Sequence, residues 1–284
     1  MDGIILINKE EKYTSQDVCN VIKKIFNTSK VGHCGTLDPF ATGLMIIGIN
    51  QGTKILRFLE NSKKKYLATI KFGASTDTYD KDGKIIATSI IRKLTINELN
   101  LVIKQFLGEQ EQIPPIYSAI KVGGKKLYEY ARKNKSVVIP IRKIFIYDIK
   151  IIYYDIETLK LEIECSKGTY IRSLANDLSH KLGMEGHLIN LCRTKVDNFD
   201  IKESIKLEEL KNKRNNVIKI SDALSFTKIV IESNDLKKVI NGVKMNFDFD
   251  DKYVLCMDKD QNPIAIYEKE ENYFKCLRGF VYEN

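Results

Sequence analysis

The chain has 284 residues, of which 43% are hydrophobic and 29% are charged, and this balance excludes a disordered protein. Lysine and arginine (46) outnumber aspartate and glutamate (37), so the net charge of +9 suits a polyanionic partner such as nucleic acid, although a lysine-rich solvated surface explains the same surplus. The six cysteines form no CxxC pair and no apolar run approaches ~18 residues, which argues against a metal site, a disulfide framework and a membrane span, so we expect a cytoplasmic protein.

The N-terminal part of the chain predicts two strands and a helix around a glycine-rich loop. Residues 4–7 form a short apolar run typical of a buried strand, and a capping box then opens a helix over about 15–27. Glycines and a proline interrupt residues 32–43, and the apolar run 44–49 follows as a second strand. Asp38 therefore lies on a loop that leads into the core.

The middle of the chain alternates between strand and helix patterns. Period-2 or continuous apolar patterns predict three strands, over 66–72, 116–122 and 159–165. Helical spacing and capping signals predict three helices, over 95–108, around 127–131 and over 171–183. On the last helix Arg172 lies about 100° from Ile171, so it flanks the apolar face and can reach a half-buried partner.

The sequence pattern changes after about residue 225. Short strand patterns over 253–257, 264–268 and 273–277 are separated by polar turns, which predicts a small β-rich second domain. We therefore divide the chain into a large domain, 1–224, and a small one, 225–284. The whole is predicted to be an α+β protein whose large domain is built on an extensive, mostly antiparallel sheet flanked by helices.

The candidate site residues are ambiguous when each is taken alone. Asp38 precedes Pro39, and such a pair often caps a helix, whereas the surrounding glycines favour close approach of the backbone to a ligand. Tyr66 is equally consistent with an ordinary core aromatic, Arg172 with a surface arginine near a helix start, and His33 with a structural loop residue. The lysine run that precedes Tyr66 is typical of a solvated surface.

Several segments, in the order in which they occur, resemble the motifs of one enzyme family. Residues 32–44, GHCGTLDPFATGL, closely resemble the signature loop of the TruB family of pseudouridine synthases. Four further segments are similar to that family's tyrosine-bearing strand, its next loop, the central segment of its bacterial branch and its arginine motif: 63–66, 73–83, 112–132 and 165–174. The resemblance covers about residues 1–200.

The resemblance implies a stand-alone bacterial-type enzyme that converts the T-loop uridine (U55) of tRNA to pseudouridine. The base would be flipped out, its N1–C1′ bond cleaved and C5 attached to the ribose. Asp38 would be the carboxylate that starts the cleavage, and Arg172 would pair with it and keep it ionised. Tyr66 would stack on the flipped uracil and exchange a proton.

Further implications of the resemblance concern supporting residues, cofactors and partners. His33 would pack among the nucleotides of the loop, and Lys9, Lys54 and Asp80 would support the pocket and an RNA groove. The reaction needs no cofactor and no metal, because uridine and pseudouridine are isomers. The large domain would have the pseudouridine synthase fold, residues 225–284 would form a small PUA-like RNA-binding domain, and a monomer would bind the T-stem-loop of tRNA.

The sequence departs from the family's pattern in one place and leaves two alternative functions open. The family's first motif usually has Pro and Gly after its lysine, but here Lys9 is followed by Glu10-Glu11-Lys12, so this turn must form without them. One alternative is a guide-RNA-dependent (H/ACA-type) relative. Residues 40–43 of the signature loop, the segment 125–132 and the short C-terminal tail favour the stand-alone branch over it. The other alternative is a tRNA-folding or tRNA-binding factor without catalysis. The presence of Asp38, Tyr66 and Arg172 argues against it.

Overall fold

The computed structural model describes residues 1–212 and 216–281. Within them lie eight α-helices: α1 (Ser15–Phe26), α2 (Leu56–Glu60), α3 (Ile96–Lys104), α4 (Leu127–Arg132), α5 (Ile171–Lys181), α6 (Leu207–Leu210), α7 (Ile220–Ala223) and α8 (Ser233–Ile240). The same residues form seventeen β-strands: β1 (Gly3–Lys9), β2 (Val31–Cys34), β3 (Thr42–Ile49), β4 (Lys64–Phe72), β5 (Ala74–Thr76), β6 (Ile85–Thr88), β7 (Gly108–Gln112), β8 (Lys121–Val122), β9 (Lys125–Lys126), β10 (Arg142–Tyr154), β11 (Thr158–Cys165), β12 (Gly186–Val196), β13 (Phe199–Asp200), β14 (Thr227–Val230), β15 (Tyr253–Met257), β16 (Pro263–Lys269) and β17 (Phe274–Gly279).

A nine-stranded sheet forms the centre of the molecule. Its main path runs β1-β3-β12-β4-β11-β10-β7, with β2 also paired to β3 and β13 to β12. Every pairing in this sheet is antiparallel except that of β12 with β3, which is parallel and spans two residue pairs. The predicted α+β fold with a large, mostly antiparallel sheet is confirmed.

Helices cover one face of this sheet, because alternate strand residues point to that face. In β4 the side chains of Tyr66, Ala68, Ile70 and Phe72 are all buried, as the period-2 pattern predicts. They share one hydrophobic core with apolar side chains of three helices, α1 (Val18, Ile22), α3 (Leu99, Ile103) and α5 (Leu174, Leu178). This core supports the strand that carries Tyr66.

Two predicted elements are corrected by the structure. The helix predicted over 95–108 begins at its capping box but ends at Lys104, and Gly108 instead begins β7. The strand predicted over 116–122 is wrong, because only Lys121–Val122 is a strand. Two carbonyls of the preceding segment bind distant side chains instead of a neighbouring strand: Ile113 O accepts a hydrogen bond from Ser173, and Tyr117 O accepts one from Arg172.

Two long strands of the sheet were not predicted from the sequence. β10 alternates buried and exposed residues along much of its length, so the period-2 pattern of its sequence could have predicted this strand. β12 is interrupted by irregularities between Leu188 and Asn190 and between Arg193 and Lys195, which break the period-2 alternation. This strand lies between β3 and β4 and completes the centre of the sheet.

A second sheet of four strands, β14-β15-β16-β17, forms near the C-terminus and is consistent with a PUA-like unit. The three predicted strands of this region are confirmed as β15, β16 and β17, and β14 joins them parallel to β15. Apolar side chains of β15 and β16 pack against the outer side chains of β1 and β3, among them Leu255, Met257, Ile266, Ile4 and Ile46. The domain boundary after residue 224 stays a prediction. Among the described residues, no helix is long and apolar enough to cross a membrane.

Candidate active site

The loop that carries Asp38 occupies residues 35–41, between the antiparallel strands β2 and β3. No α-helix starts at Pro39 in this part of the described chain, so Asp38 is not a helix cap. The start of α1 holds the loop in place: the Ser15 hydroxyl accepts a hydrogen bond from Leu37 N at 2.9 Å and lies 3.1 Å from Leu37 O. The residue that precedes Asp38 is therefore tied to the start of α1.

Lys9 holds this loop from the other side. Its side chain is fully buried, and Nζ donates hydrogen bonds to the carbonyls of Glu10, Tyr13 and Pro39 at 3.0, 2.7 and 3.2 Å. Burial lowers the pKa of Lys9 to about 8. The turn after Lys9 forms without glycine because Lys12 takes a left-handed conformation, with φ of 75°.

Arg172 makes two contacts with Asp38. Nη2 donates a hydrogen bond to Asp38 Oδ1 at 3.0 Å, and Nε lies 2.9 Å from Oδ2, although this N–H points off the hydrogen-bond line, so the second contact is ionic. Nη1 donates to Thr78 O at 3.0 Å and Nη2 also donates to Tyr117 O at 2.9 Å. The Arg172 side chain is 3% exposed and that of Asp38 is 33% exposed. The carboxylate thus faces open space while its partner is fixed behind it.

Asp80 is a second carboxylate beside the same arginine. Its Oδ2 lies 3.5 Å from Arg172 Nη1, and its Oδ1 accepts hydrogen bonds from the Thr78 hydroxyl at 2.6 Å and from Asp82 N at 3.1 Å. Burial raises the pKa of Asp80, and the Thr78 hydroxyl and Arg172 oppose that rise. Arg172 is therefore held between two carboxylates, one buried and one open to the cavity.

These groups line a cavity of about 900 Å³. Asp38, Tyr66, Arg172, His33 and Asp80, all candidates from the sequence, contribute to its wall. Tyr66 projects from β4 and is buried, and this burial raises its pKa to about 12, so its hydroxyl is protonated at neutral pH. Burial also lowers the pKa of His33, whose Nδ1 has no hydrogen-bond partner among the described residues.

The other two candidates lie outside the cavity wall. Lys9 lies behind the loop and acts on it through the carbonyls described above. Lys54 is not part of the pocket: its Nζ donates to Gly279 O at 2.8 Å and lies 5.7 Å from the centre of the Phe280 ring. Lys54 thus joins the 3-10 helix Asn50–Ile55 to the end of the C-terminal sheet.

Comparison with known proteins identifies the family. A family model described as TruB family pseudouridylate synthase (N terminal domain) matches residues 23–171, and these residues include the loop, the tyrosine strand and the start of the arginine motif. The chain belongs to this family. It is 41% identical over 274 residues to the protein named tRNA pseudouridine synthase B of Clostridium tetani, covering 95% of this chain and 93% of that protein. It is 40% identical over 287 residues to the protein of the same name from Mycoplasma capricolum, covering 98% and 96%.

Solved structures of two complexes share the fold. A chain in the crystal structure of a Cbf5-Nop10-Gar1 complex superposes with a TM-score of 0.72 at 20% identity, covering 98% of this chain and 84% of that one. A chain of an H/ACA RNP bound to a substrate RNA containing 2′-deoxyuridine superposes with a TM-score of 0.71 at 20% identity, covering 99% and 85%. At this identity the comparison supports the pseudouridine synthase fold.

Arg193 and Lys64 also line this pocket, although the sequence did not predict them as site residues. Arg193, on β12, is 1% exposed and lines the cavity, and it was missed because the bulges of β12 hide the strand pattern. The prediction that Lys64 belongs to a solvated lysine run is wrong, because its side chain is buried, lines the cavity and donates hydrogen bonds to the carbonyls of Glu60 and Ser62. Extending the alternation of β4 two residues back from Tyr66 would have placed Lys64 on the inner face.

The arrangement is suited to chemistry on one enclosed base. A carboxylate that is partly open to the cavity can act as a nucleophile or accept a proton, and its rotamer is set by Arg172. A protonated tyrosine on the same wall offers both a ring face and a hydroxyl. Among residues 1–212 and 216–281, no group of three His, Cys, Asp or Glu side chains is arranged to hold a metal ion.

Proposed function

We propose that the protein isomerises the T-loop uridine (U55) of tRNA to pseudouridine, with Asp38 as the catalytic carboxylate. The observation that carries this proposal is the contact of Asp38 with Arg172 at the wall of a cavity that Tyr66 also lines. The tRNA substrate is supported by relatives named tRNA pseudouridine synthase B, which match almost the whole chain at about 40% identity.

Each residue has a role that follows from its contacts. Asp38 starts the cleavage of the N1–C1′ bond, because its carboxylate is both open to the cavity and fixed by a guanidinium. Arg172 stabilises the ionised carboxylate by charge-assisted hydrogen bonds. After the bond is cleaved the uracil turns, C5 bonds to C1′, the hydrogen of C5 leaves as a proton and N1 gains one, so the product is an isomer. Tyr66 holds the uracil by stacking and can exchange one of these protons.

The energy of base flipping has to be offset inside this cavity. Removing one nucleotide from a stacked loop costs a few kcal/mol, and stacking on an aromatic ring returns about 1–3 kcal/mol per base. Tyr66 provides such a ring on one wall, and His33 provides an uncharged imidazole on the same wall. We propose that His33 packs against nucleotides next to the flipped base.

Basic side chains at the cavity provide contacts for the phosphates of the RNA backbone. Lys126, Arg132 and Lys167 line it, and Lys126 and Arg132 both lie over the ring of Tyr128, at 5.4 and 5.2 Å from its centre. None of these three cations makes an ion pair with a carboxylate of the described residues, although Lys167 Nζ donates a hydrogen bond to Asn61 Oδ1. Their positive charges can therefore attract phosphates. We propose that residues 225–284 add a second RNA contact as a PUA-like domain and that the protein acts as a monomer on the T-stem-loop.

The guide-RNA-dependent alternative is not favoured. The relatives at about 40% identity carry the tRNA name, whereas the similarity to the Cbf5 chain is 20% and extends to the fold. A tRNA-folding factor without catalysis would not need Asp38 and Arg172 in ion-pair contact beside a tyrosine.

The proposal is tested by incubating the purified protein with an unmodified tRNA transcript and mapping every pseudouridine in it. We expect modification at U55 and at no other uridine. A transcript in which U55 is replaced by cytidine is the matched control and should gain no pseudouridine. Modification at another position, or none with any transcript, would overturn the proposal.

A further inference from the structure

Arg193 stands directly opposite Tyr66 in the central sheet. The two residues are register partners between the antiparallel strands β12 and β4, so their side chains project from the same face within about 5 Å at Cβ. Both are buried and both line the cavity. A register irregularity follows Arg193 immediately, and such bulges re-aim side chains beside active sites.

Arg193 also ties the loop of Asp38 to the sheet. Its Nε donates to Leu44 O at 2.8 Å in β3, and its Nη2 donates to Gly35 O at 3.1 Å, at the first residue of the loop. Gly35 has a positive φ of 81°, and a Cβ added there would lie 3.4 Å from Arg193 Nη1. The guanidinium is thus packed between the two elements that carry Asp38 and Tyr66.

Within residues 1–212 and 216–281, no carboxylate balances the charge of Arg193. Arg172 has Asp38 and Asp80 beside it, but none of the described acidic side chains lies within 4 Å of the Arg193 guanidinium. A buried cation without a counter-ion favours negative charge on its neighbours. Consistent with this, Arg193 lowers the pKa of Tyr66 against the larger, opposite effect of burial.

We propose that Arg193 is a positioning residue that acts through Tyr66. It holds the tyrosine hydroxyl and the Gly35 end of the loop around the flipped base, and its charge stabilises negative charge on the tyrosine oxygen. The inference rests on the proposed function, because it concerns the proton that leaves C5 and the proton that N1 gains. A phenol that exchanges these protons carries negative charge on its oxygen in between, and a preorganised cation lowers the energy of that state.

A double-mutant cycle tests the inference. We compare wild type, Arg193→Met, Tyr66→Phe and the double variant in single-turnover assays with a T-stem-loop, and measure RNA affinity alongside. We expect Arg193→Met to slow turnover about 100-fold, which is about 2.7 kcal/mol of barrier, with affinity changed less than about threefold. In the Tyr66→Phe background the same change should slow turnover less than about threefold further. Arg193→Lys, which keeps the charge but not the planar fork, should restore part of the turnover.

Losses that multiply in the double variant would overturn the inference, because they would show that Arg193 acts independently of the tyrosine hydroxyl. Arg92→Met is the matched control: this arginine pairs with Glu98 outside the cavity wall, and its loss should leave turnover unchanged. If Arg193→Met does not fold, the same cycle with Arg193→Lys decides the question.

Urea unfolding of the same four proteins tests the Arg193–Tyr66 contact through the free energy of unfolding, without any substrate. We expect the unfolding free energies to be non-additive, because each single variant removes the same contact. Additive unfolding energies would overturn the contact itself. Non-additive unfolding with a wild type that modifies no tRNA would instead overturn the proposed function and leave the Arg193–Tyr66 contact standing.

Discussion

Arg172 Nη2 lies 3.0 Å from Asp38 Oδ1, although 134 positions separate the two residues in the chain. The contact joins the first turn of α5 to the loop between β2 and β3. Because the arginine is buried and the carboxylate is partly open, the pair presents one oriented negative charge to the cavity. The first two predictions test the two sides of this contact separately.

Asp38→Asn should abolish pseudouridine formation while folding and tRNA binding are largely kept. The amide has nearly the same shape but is neither a nucleophile nor a base. Pseudouridine in a tRNA transcript is the measurement, and Asp148→Asn, at an ion pair with Lys150 on β10, is the control. A loss of activity within about tenfold, or ~1.4 kcal/mol of barrier, would contradict the assignment.

Arg172→Met should reduce turnover by several orders of magnitude and change RNA affinity little. The methionine fills similar space but leaves Asp38 without its hydrogen-bonded partner and Asp80 without its nearby charge. Turnover and dissociation constant are measured on the same T-stem-loop. An equal loss in both would identify Arg172 as a phosphate contact, and full activity of Arg172→Lys would show that the fork geometry is unimportant.

Lys9 should make the free energy of unfolding depend on pH. Its pKa in the folded protein is lowered to about 8, whereas a lysine in an unfolded chain titrates near ~10.4. Between these values the unfolded state binds more protons than the folded state, so the contribution of Lys9 to stability rises with pH from about 8 to about 10. Below about pH 8 both states are protonated and the contribution is constant.

Urea unfolding of wild type and Lys9→Met between pH 7 and 10 checks this. The difference in unfolding free energy between the two proteins should be flat up to about pH 8 and then shift in favour of wild type. Lys24→Met, at an exposed lysine of α1, corrects for the loss of one surface charge. A difference that stays flat to pH 10 would mean that the Lys9 ammonium is not desolvated.

Lys12→Gly should stabilise the protein. Lys12 has a left-handed backbone, which costs an L-residue about 1–2 kcal/mol but costs glycine little. Part of this gain is lost to the greater freedom of glycine in the unfolded chain, so we expect about 1 kcal/mol in urea unfolding. Lys12→Ala keeps the Cβ and should give no gain. A glycine variant no more stable than the alanine variant would show that the turn is unstrained.

RNA affinity should fall steeply with salt, whereas selectivity should come from loop shape. Each phosphate contact contributes a log–log slope of roughly −0.7 to −0.9, so Lys126→Gln and Arg132→Gln should each reduce the total slope by about that amount. An isolated T-stem-loop should be modified almost as well as whole tRNA, and the same nucleotides as an unstructured strand should not. Equal turnover of the unstructured strand would show that the protein reads sequence instead.

Much of the fold could be predicted because the relevant signals are local. The helix α1, its capping box and the inward face of β4 follow from periodicity within about ten residues. The end of α3 differs from the prediction because the chain leaves the helix through local hydrogen bonds, from Gln105 N to Val102 O and from Phe106 N to Ile103 O, before it reaches Gly108. The segment before β8 could not be predicted, since its carbonyls accept hydrogen bonds from distant side chains such as Arg172 and Ser173. β12 was hidden by its bulges.

By itself, the sequence determined the family and the α+β class and proposed Asp38, Arg172 and Tyr66 as site residues, because motifs and periodic apolar patterns involve residues that are consecutive in the chain. Only the tertiary structure decided that Asp38 is not a helix cap and that Lys54 lies at the C-terminal sheet instead of the pocket. It also decided that Arg193 faces Tyr66 inside the cavity. Each of these depends on which distant backbone lies alongside, and pairing between strands far apart in the chain is set by the packing of the whole core.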